Sequence, residues 1–376
     1  MWGGFSRVTH HASRLQIDMT FFESLRSRTG IPLANYGILL LLLGAVLMLD
    51  MSLGSVNIPA NAIFTILTGG EPDNAAWKTI ILIFRLPKAL TAAFAGAALA
   101  VSGLLMQTLF RNPLAGPSVL GISSGASLGV AVVVLSATAG WASTDFLDGL
   151  GILGELGVVL AASLGSTSVL FLILAVSRKV RSVMTLLIVG LLFGYATSAL
   201  VSILIHFSIA ERIQAYITWT FGSFTTTTWS KLRLFIPIVS AGLLLTMFTQ
   251  KSLNALLLGE AYGRSMGVNV KRARHIIIFI TAVLSGTITA FCGPIAFLGV
   301  AVPHLCRSFF NTSDHRVLLP TVMLTGAIVA LAADLVSHVP GSQIVLPLNA
   351  VTSLIGTPVI AWVILRKKNM NETFAT

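Results

Sequence analysis

An all-α, polytopic membrane protein is the fold class that this sequence predicts, and three observations carry it. Apolar residues make up 55% of the 376 positions, and the mean hydropathy is +0.90. They gather into about ten stretches, each near the ~20 residues that a helix needs to cross a hydrocarbon core of roughly 30 Å. Runs such as YGILLLLLGAVLML lack the period-two alternation of barrel strands. Lipid then leaves the helix as the way to satisfy the backbone.

Taken in order, the first element is a polar, cytoplasmic segment, 1–34, carrying Arg7, Arg14, Arg26 and Arg28. No small-residue cleavage site follows the first apolar run, so the span over about 36–53 is expected to be retained. The next, 88–110, is introduced by Arg85-Leu86-Pro87-Lys88, with a proline suited to a helix's first turn. Within it Ala92, Gly96 and Ala100 recur at the spacing of close helix contacts. Spans over 118–137, 153–176, 184–207, 234–250 and 275–292 follow. The stretch 294–309 is the least regular, because it is short, opens at Gly293-Pro294 and contains Pro303. Broken helices of this kind line cavities or interfaces. Spans over 318–338 and 345–365 close a membrane domain of 35–366, and 367–376 is a short tail.

Ten spans with the amino terminus inside put both ends in the cytoplasm. Most of the 24 lysines and arginines then fall in cytoplasmic segments, the exceptions being Lys78, Arg85, Lys88, Arg212, Lys231 and Arg233. The positive-inside rule predicts that asymmetry, so topology accounts for the net charge of +11 and nucleic-acid binding is not needed to explain it.

Several functions are excluded by what the chain lacks. No G-x-x-x-x-G-K-[ST] loop is present, so the chain has no P-loop for ATP, and no H-E-x-x-H or G-x-S-x-G motif points to an enzyme. The two cysteines, Cys292 and Cys306, lie in apolar surroundings and suit packing rather than a disulfide or metal. An ion-coupled secondary transporter is the alternative function. It would bury carboxylates or histidines near the midplane, whereas Asp50, Glu155 and Asp334 fall near span ends and His206 reads as a packed or interfacial residue.

Three stretches are too polar or irregular for plain spans. Arg85-Leu86-Pro87-Lys88 lies on the outer side, where its cations suit either anchoring or an acidic partner. From Gln107 to Gly129, Asn112-Pro113 and Gly116-Pro117 interrupt the helix and seven polar residues collect. Gly116-Pro117 also opens a segment that echoes Gly293-Pro294, which hints at a duplicated half. Gln250 to Arg274 is the longest cytoplasmic connection. In it Leu253, Leu256, Leu257 and Ala261 fall on one helical face, which is expected to dock into a groove on a partner.

Those stretches carry a resemblance. RLPKALTAAFAGAALAVSGLLMQTLFRNPLAGPSVLGISSGASLG, LNALLLGEAYGRSMGV, GPIAFLGVAVPHLCRSFFNTSDHRVLLP and LPLNAVTSLIGTPVIAWVILRKK resemble the permease subunits of the FecCD/BtuC-like family, the type II ABC importers of iron-siderophores, haem and vitamin B12. The resemblance covers residue 80 to the carboxyl terminus. It implies a bacterial inner-membrane permease with no enzymatic activity and no cofactor of its own. A second permease copy, two ABC ATPase subunits that use ATP and Mg, and a periplasmic or lipid-anchored substrate-binding protein would be its partners. The translocation path would follow the two-fold axis, in a homodimer or pseudodimer.

The resemblance also implies residue roles. Leu253, Asn254, Leu256, Leu257, Gly259, Glu260 and Gly267 match the ATPase-coupling helices. Asn112, Pro113 and Leu114 match a cytoplasmic gate, and Ser182 to Thr185 a second one, where Met184 replaces a small polar residue. Arg85 and Lys88 match outer cations that engage the binding protein, and His338 stands where a third cation is usual, which makes docking weaker or pH-sensitive. Gly121, Pro303, His304 and Arg307 match structural positions, with His304 read as hydrogen-bonded rather than ligating. Val345 and Asn349 depart from the glutamate and glycine usual around Pro347. The motifs do not distinguish one chelate from another.

Overall fold

The computed structural model describes residues 33–135, 152–180, 182–338 and 345–365. Segment 1–34 except its last two residues, the tail 367–376, Arg181, Arg366 and the side chain of Glu155 lie outside the described residues.

Helix α1 is Leu33–Ser52 and α2 is Ala60–Leu67. Helix α3, Ala75–Thr79, runs through a π-helical turn, Ile80–Arg85, into α4, Leu86–Phe110. A 3₁₀ turn, Pro117–Leu120, leads into α5, Ile122–Leu135. Helices α6 (Ile152–Lys179), α7 (Val183–His206), α8 (Ala210–Thr220) and α9 (Trp229–Met247) follow. Two short helices, α10 (Gln250–Leu257) and α11 (Glu260–Ser265), precede α12 (Val270–Cys292), α13 (Leu298–Phe310), α14 (His315–Ser337) and α15 (Leu348–Leu365). Among the described residues extended pairing is limited to one isolated bridge, His338 with Val345.

Among the described residues, seven helices are long and apolar enough to cross a membrane, and the expected ten spans each coincide with a helix. Starts are marked by side-chain caps that satisfy otherwise unpaired amides. Ser182 accepts from Thr185, Asn269 from Arg272 and Asp314 from Arg316.

Three features depart from the expected boundaries. The second span begins at Ala75, so it runs 36 residues to Phe110. The turns α2 and α8 carry mixed polar and apolar residues, and neither repeats an apolar run long enough to stand out in the sequence. Helix α13 has 13 residues, a rise of about 20 Å, which falls short of a hydrocarbon core of roughly 30 Å. It is a half-helix that begins within the bundle.

Helix α4 is the axis of the bundle, buried along most of its length against α9, α12, α13 and α14. The stripe of Ala92, Gly96 and Ala100 packs on α14, with Gly96 set against the Gly326 backbone. Further along, a Cβ at Gly103 would overlap the Gly299 carbonyl of α13. Pro303 explains that approach: it has no amide to donate to the Gly299 carbonyl four residues earlier, and glycine at 103 lets the two backbones meet.

Candidate functional site

Helix α4 ends in a Schellman-type reversal. Asn112 N–H donates to Gln107 O at 3.1 Å and Arg111 N–H to Thr108 O at 3.3 Å, while Arg111 takes the left-handed position, φ 47°, usually given to glycine. The chain then turns at Asn112-Pro113-Leu114, where Asn112 Oδ1 accepts from Leu114 N–H at 2.9 Å. Leu114 is exposed. Gly121, at φ 73°, ends the following 3₁₀ turn beside Gly190 and Phe193 of α7.

Helix α13 is pinned to this loop and to α4. His304 Nε2 donates to the Pro113 carbonyl at 2.6 Å. Arg307 Nη1 donates to Gln107 Oε1 at 2.6 Å, and Gln107 Nε2 donates to Val300 O at 3.2 Å. Gln107, fully buried in the middle of these contacts, uses both ends of its amide.

The next residue of α4 continues the chain of bonds. Thr108 Oγ1 lies 2.8 Å from His315 Nε2, at the start of α14. His315 Nδ1 lies 2.8 Å from Asn254 Oδ1, and Asn254 Nδ2 donates to Asp314 Oδ1 at 2.6 Å. Because the Asn254 amide spends its NH₂ on a carboxylate, its oxygen accepts. His315 therefore carries its proton on Nδ1, and its bare Nε2 faces the Thr108 hydroxyl, whose single proton is shared between that nitrogen and the Leu104 carbonyl at 2.9 Å. Two polar clusters, one linking α10, the foot of α14 and Thr108 and the other linking Gln107 to α13, adjoin at consecutive residues of α4, and His304 extends α13 to the Pro113 loop.

Helices α10 and α11 meet at Gly259, φ 107° and ψ 158°, a conformation essentially restricted to glycine. The Arg111 guanidinium lies over this hinge, 3.5 Å from where a Cβ would stand. Glu260 binds Arg264 at 3.3 Å and Arg274 at 2.5 Å. Gly267, φ 80°, follows α11.

Here one expectation is corrected. Leu253 and Leu256 are 0% and 4% exposed and pack into their own bundle, with Leu257 half-buried. The outward apolar row is Leu258, Tyr262 and Met266, at 51%, 50% and 60% exposure. Periodicity finds a greasy face but does not say which neighbour covers it. Ala261, which closed the expected face, is exposed.

At the opposite end of α4 the outer cations are not free. Arg85 Nη1 donates to Met51 O at 2.6 Å and Ser52 O at 3.0 Å, and Nη2 donates to Val56 O. Lys88 Nζ sits between Asp50, at 3.1 Å, and Asp334, at 2.5 Å. His338 Nδ1 is 3.6 Å from Asp334. Expected to project toward a partner, Arg85 and Lys88 are instead buried and tie α1, α4 and α14 together. A free, hydrated cation gives up part of its hydration on docking, whereas Lys88 would in addition leave two buried carboxylates unpaired. Sequence spacing could not have revealed this, because Asp50 and Asp334 lie far from Lys88 along the chain.

A cavity of about 420 Å³ adjoins the Pro113 loop. Gly116, Pro117 and Ser118 line it together with Pro294, Phe297 and Gly299, and Asn349 contributes as well. The two echoing segments thus line one cavity and meet where Pro117 packs on Gly299. Asn349 Oδ1 accepts from Ala296 N–H at 3.1 Å, so the residue that departs from the resembled pattern holds the start of the half-helix. Ser182 caps α7 through Thr185 N–H at 3.4 Å, and Met184 is exposed there. Cys292 and Cys306 are buried free thiols.

His315 and Thr108 were not singled out from the sequence. The usable signal was the capping Asp-His pair that opens the ninth span. Among the described residues no group of three or more metal-ligating side chains occurs.

Comparison with known proteins gives concordant matches. The FecCD transport family matches residues 40–366. The vitamin B12 import system permease BtuC of Klebsiella pneumoniae is 34% identical over 333 residues, covering 89% of this chain and 93% of that one. The hemin transport system permease HmuU of Yersinia pestis is 34% identical over 329 residues, covering 87% and 95%. A solved metal-chelate type ABC transporter, in an inward-facing conformation, superposes with TM-score 0.75 at 28% identity, over 87% of this chain and 97% of that one.

Proposed function

Because the chain belongs to the FecCD transport family, it is a non-enzymatic permease subunit of an ABC importer in the bacterial inner membrane, and we propose that it passes metal chelates of the tetrapyrrole or siderophore class between two copies of itself. Hydrolysis belongs to a separate ATPase, and cargo is delivered by a substrate-binding protein. The vitamin B12 and hemin names of the relatives support the cargo class.

In this reading both termini face the cytoplasm, as does the α10–α11 end, because the basic segments collect there. The exposed row Leu258, Tyr262 and Met266 seats in the ATPase. Leu253 and Leu256 root the same helices in the bundle, so a push on α10 is delivered to its neighbours rather than absorbed. The gate is Asn112-Pro113-Leu114, and the face of α7 beginning at Ser182 meets the second copy.

The observation that carries the proposal is the polar path Asn254–His315–Thr108, continued by Gln107, Arg307 and the His304–Pro113 bond. Hydrogen bonds carry it from Asn254 to Thr108, the α4 backbone joins Thr108 to Gln107, and the α13 backbone joins Arg307 to His304, so the ATPase-facing element is linked to the gate. An ion-coupled mechanism is disfavoured by the other end, where Lys88 occupies both buried carboxylates.

Uptake by proteoliposomes holding the full assembly tests this function. Transport is expected to need ATP and every partner, and to persist when proton and sodium gradients are collapsed. Uptake that an ionophore abolishes while ATP remains would overturn it.

A further inference from the structure

Two adjoining cavities lie between the ends of α6, α9 and α12, away from the gate. One, about 740 Å³, is an apolar crevice lined by Leu174, Leu245, Phe248, Ile276, Phe279 and Ile280. The other, about 860 Å³, is polar and lined by Arg178, Lys179, Arg264, Lys271 and Arg274. Arg178 and His275 belong to both, so the greasy space opens directly onto the basic one.

The basic cavity is built for an anion that the described chain does not supply. Glu260 answers Arg264 and Arg274, whereas Arg178, Lys179 and Lys271 make no ion pair among the described residues. Lys271 and Arg272 sit in the first turn of the 23-residue α12 and Arg274 begins the second, at the end where the helix dipole already favours negative charge. Two polar atoms are also left open. Ser177, 6% exposed, lines the cavity with its Oγ unpartnered. His275 places its Nδ1 2.7 Å from Lys271 O, and its Nε2 has no partner.

We propose that this paired cavity binds an anionic glycerophospholipid of the surrounding bilayer, with the phosphate among Arg178, Lys179 and Lys271 and an acyl chain in the crevice over Ile276 and Phe279. Basic pockets beside transmembrane helices suit such headgroups. A soluble partner could meet the cations but could not fill the apolar crevice, which runs up helices that cross the membrane. The basic cavity borders α11 through Arg264, but the cations assigned to the phosphate, Arg178, Lys179 and Lys271, lie outside the ATPase-seating row.

Lipid retained by the purified full-length protein, after exchange into mixed micelles of phosphatidylglycerol or phosphatidylcholine, can be read by native mass spectrometry. The wild-type chain is expected to retain phosphatidylglycerol in preference. The exposed double variant R178A/K271A is expected to bind it roughly 30-fold more weakly, from about a fivefold loss per cation. I276W, which narrows the crevice while leaving every cation in place, is expected to lose retention as well. Equal retention of the two lipids, or unchanged retention in both variants, would overturn the proposal. So would unchanged retention accompanied by lost ATPase copurification or an altered oligomeric state, since the face would then belong to a protein partner.

Discussion

His304 donates from Nε2 to the carbonyl of Pro113 at 2.6 Å, and this bond ties the half-helix α13 to the loop at the end of α4. A carbonyl before a tight turn has few alternative donors, and a buried bond of this type contributes about 1 kcal/mol, more if one partner is left unsatisfied. His304→Phe keeps a planar ring and removes the donor. Labelling of Leu114→Cys by a membrane-impermeant thiol reagent should then rise by roughly fivefold. His304→Gln, which keeps a side-chain N–H, should restore most of the protection. Equal labelling in all three backgrounds would mean that the bond does not hold the loop.

The α10–α11 surface separates two kinds of leucine. Leu258→Asp with Met266→Asp should abolish copurification of the ATPase and leave thermal unfolding in detergent near the parent value, because both side chains are exposed. Leu256→Asp should do the reverse first, lowering the unfolding temperature, since its carboxylate would be buried without a partner. Retained copurification in the exposed double variant would remove this row from the interface.

Lys88→Met leaves Asp50 and Asp334 facing each other without their cation. Breaking one side of a buried pair costs about 3–5 kcal/mol, so the variant should express poorly or unfold early. Adding Asp50→Asn and Asp334→Asn should recover most of the loss. Failure of that triple variant to recover, beside a stable Lys88→Met, would show that the three groups do not depend on one another.

Gly103→Ala places a methyl group in the Gly299 carbonyl. Overpacking typically costs about 1–3 kcal/mol, and here α4 and α13 must part to accept it. A lower unfolding temperature is expected, with weaker transport per folded molecule. Wild-type stability would argue that the helices part without penalty.

Much of this architecture was legible in advance. Apolar length placed the spans, and the interruption at Gly293-Pro294 and Pro303 announced a broken helix. What stayed hidden were the properties of partners distant in sequence. Lys88 and Asp334 meet across the bundle, so a cation beside a proline read as an outward anchor when it is an internal tie. Leu256 and Leu258 are two positions apart and nearly opposite on a helix, so a face defined by period alone gave no side to the neighbour. Helices α2 and α8 are short and of mixed composition, which leaves no periodic signal long enough to stand out. Asn254 was noted from the coupling stretch, but its bond to His315 depends on α10 folding back to the foot of α14.

In the proposed mechanism Asn254, His315 and Thr108 carry motion from the ATPase seat to the gate. Substrate imported per ATP hydrolysed, measured in proteoliposomes of the full assembly bearing Thr108→Val, tests it most directly. The variant keeps the side-chain shape and removes only the hydroxyl beside His315 Nε2. Hydrolysis close to wild type with several-fold less substrate moved per ATP is expected, and an unchanged ratio would show that the Thr108 hydroxyl takes no part in coupling.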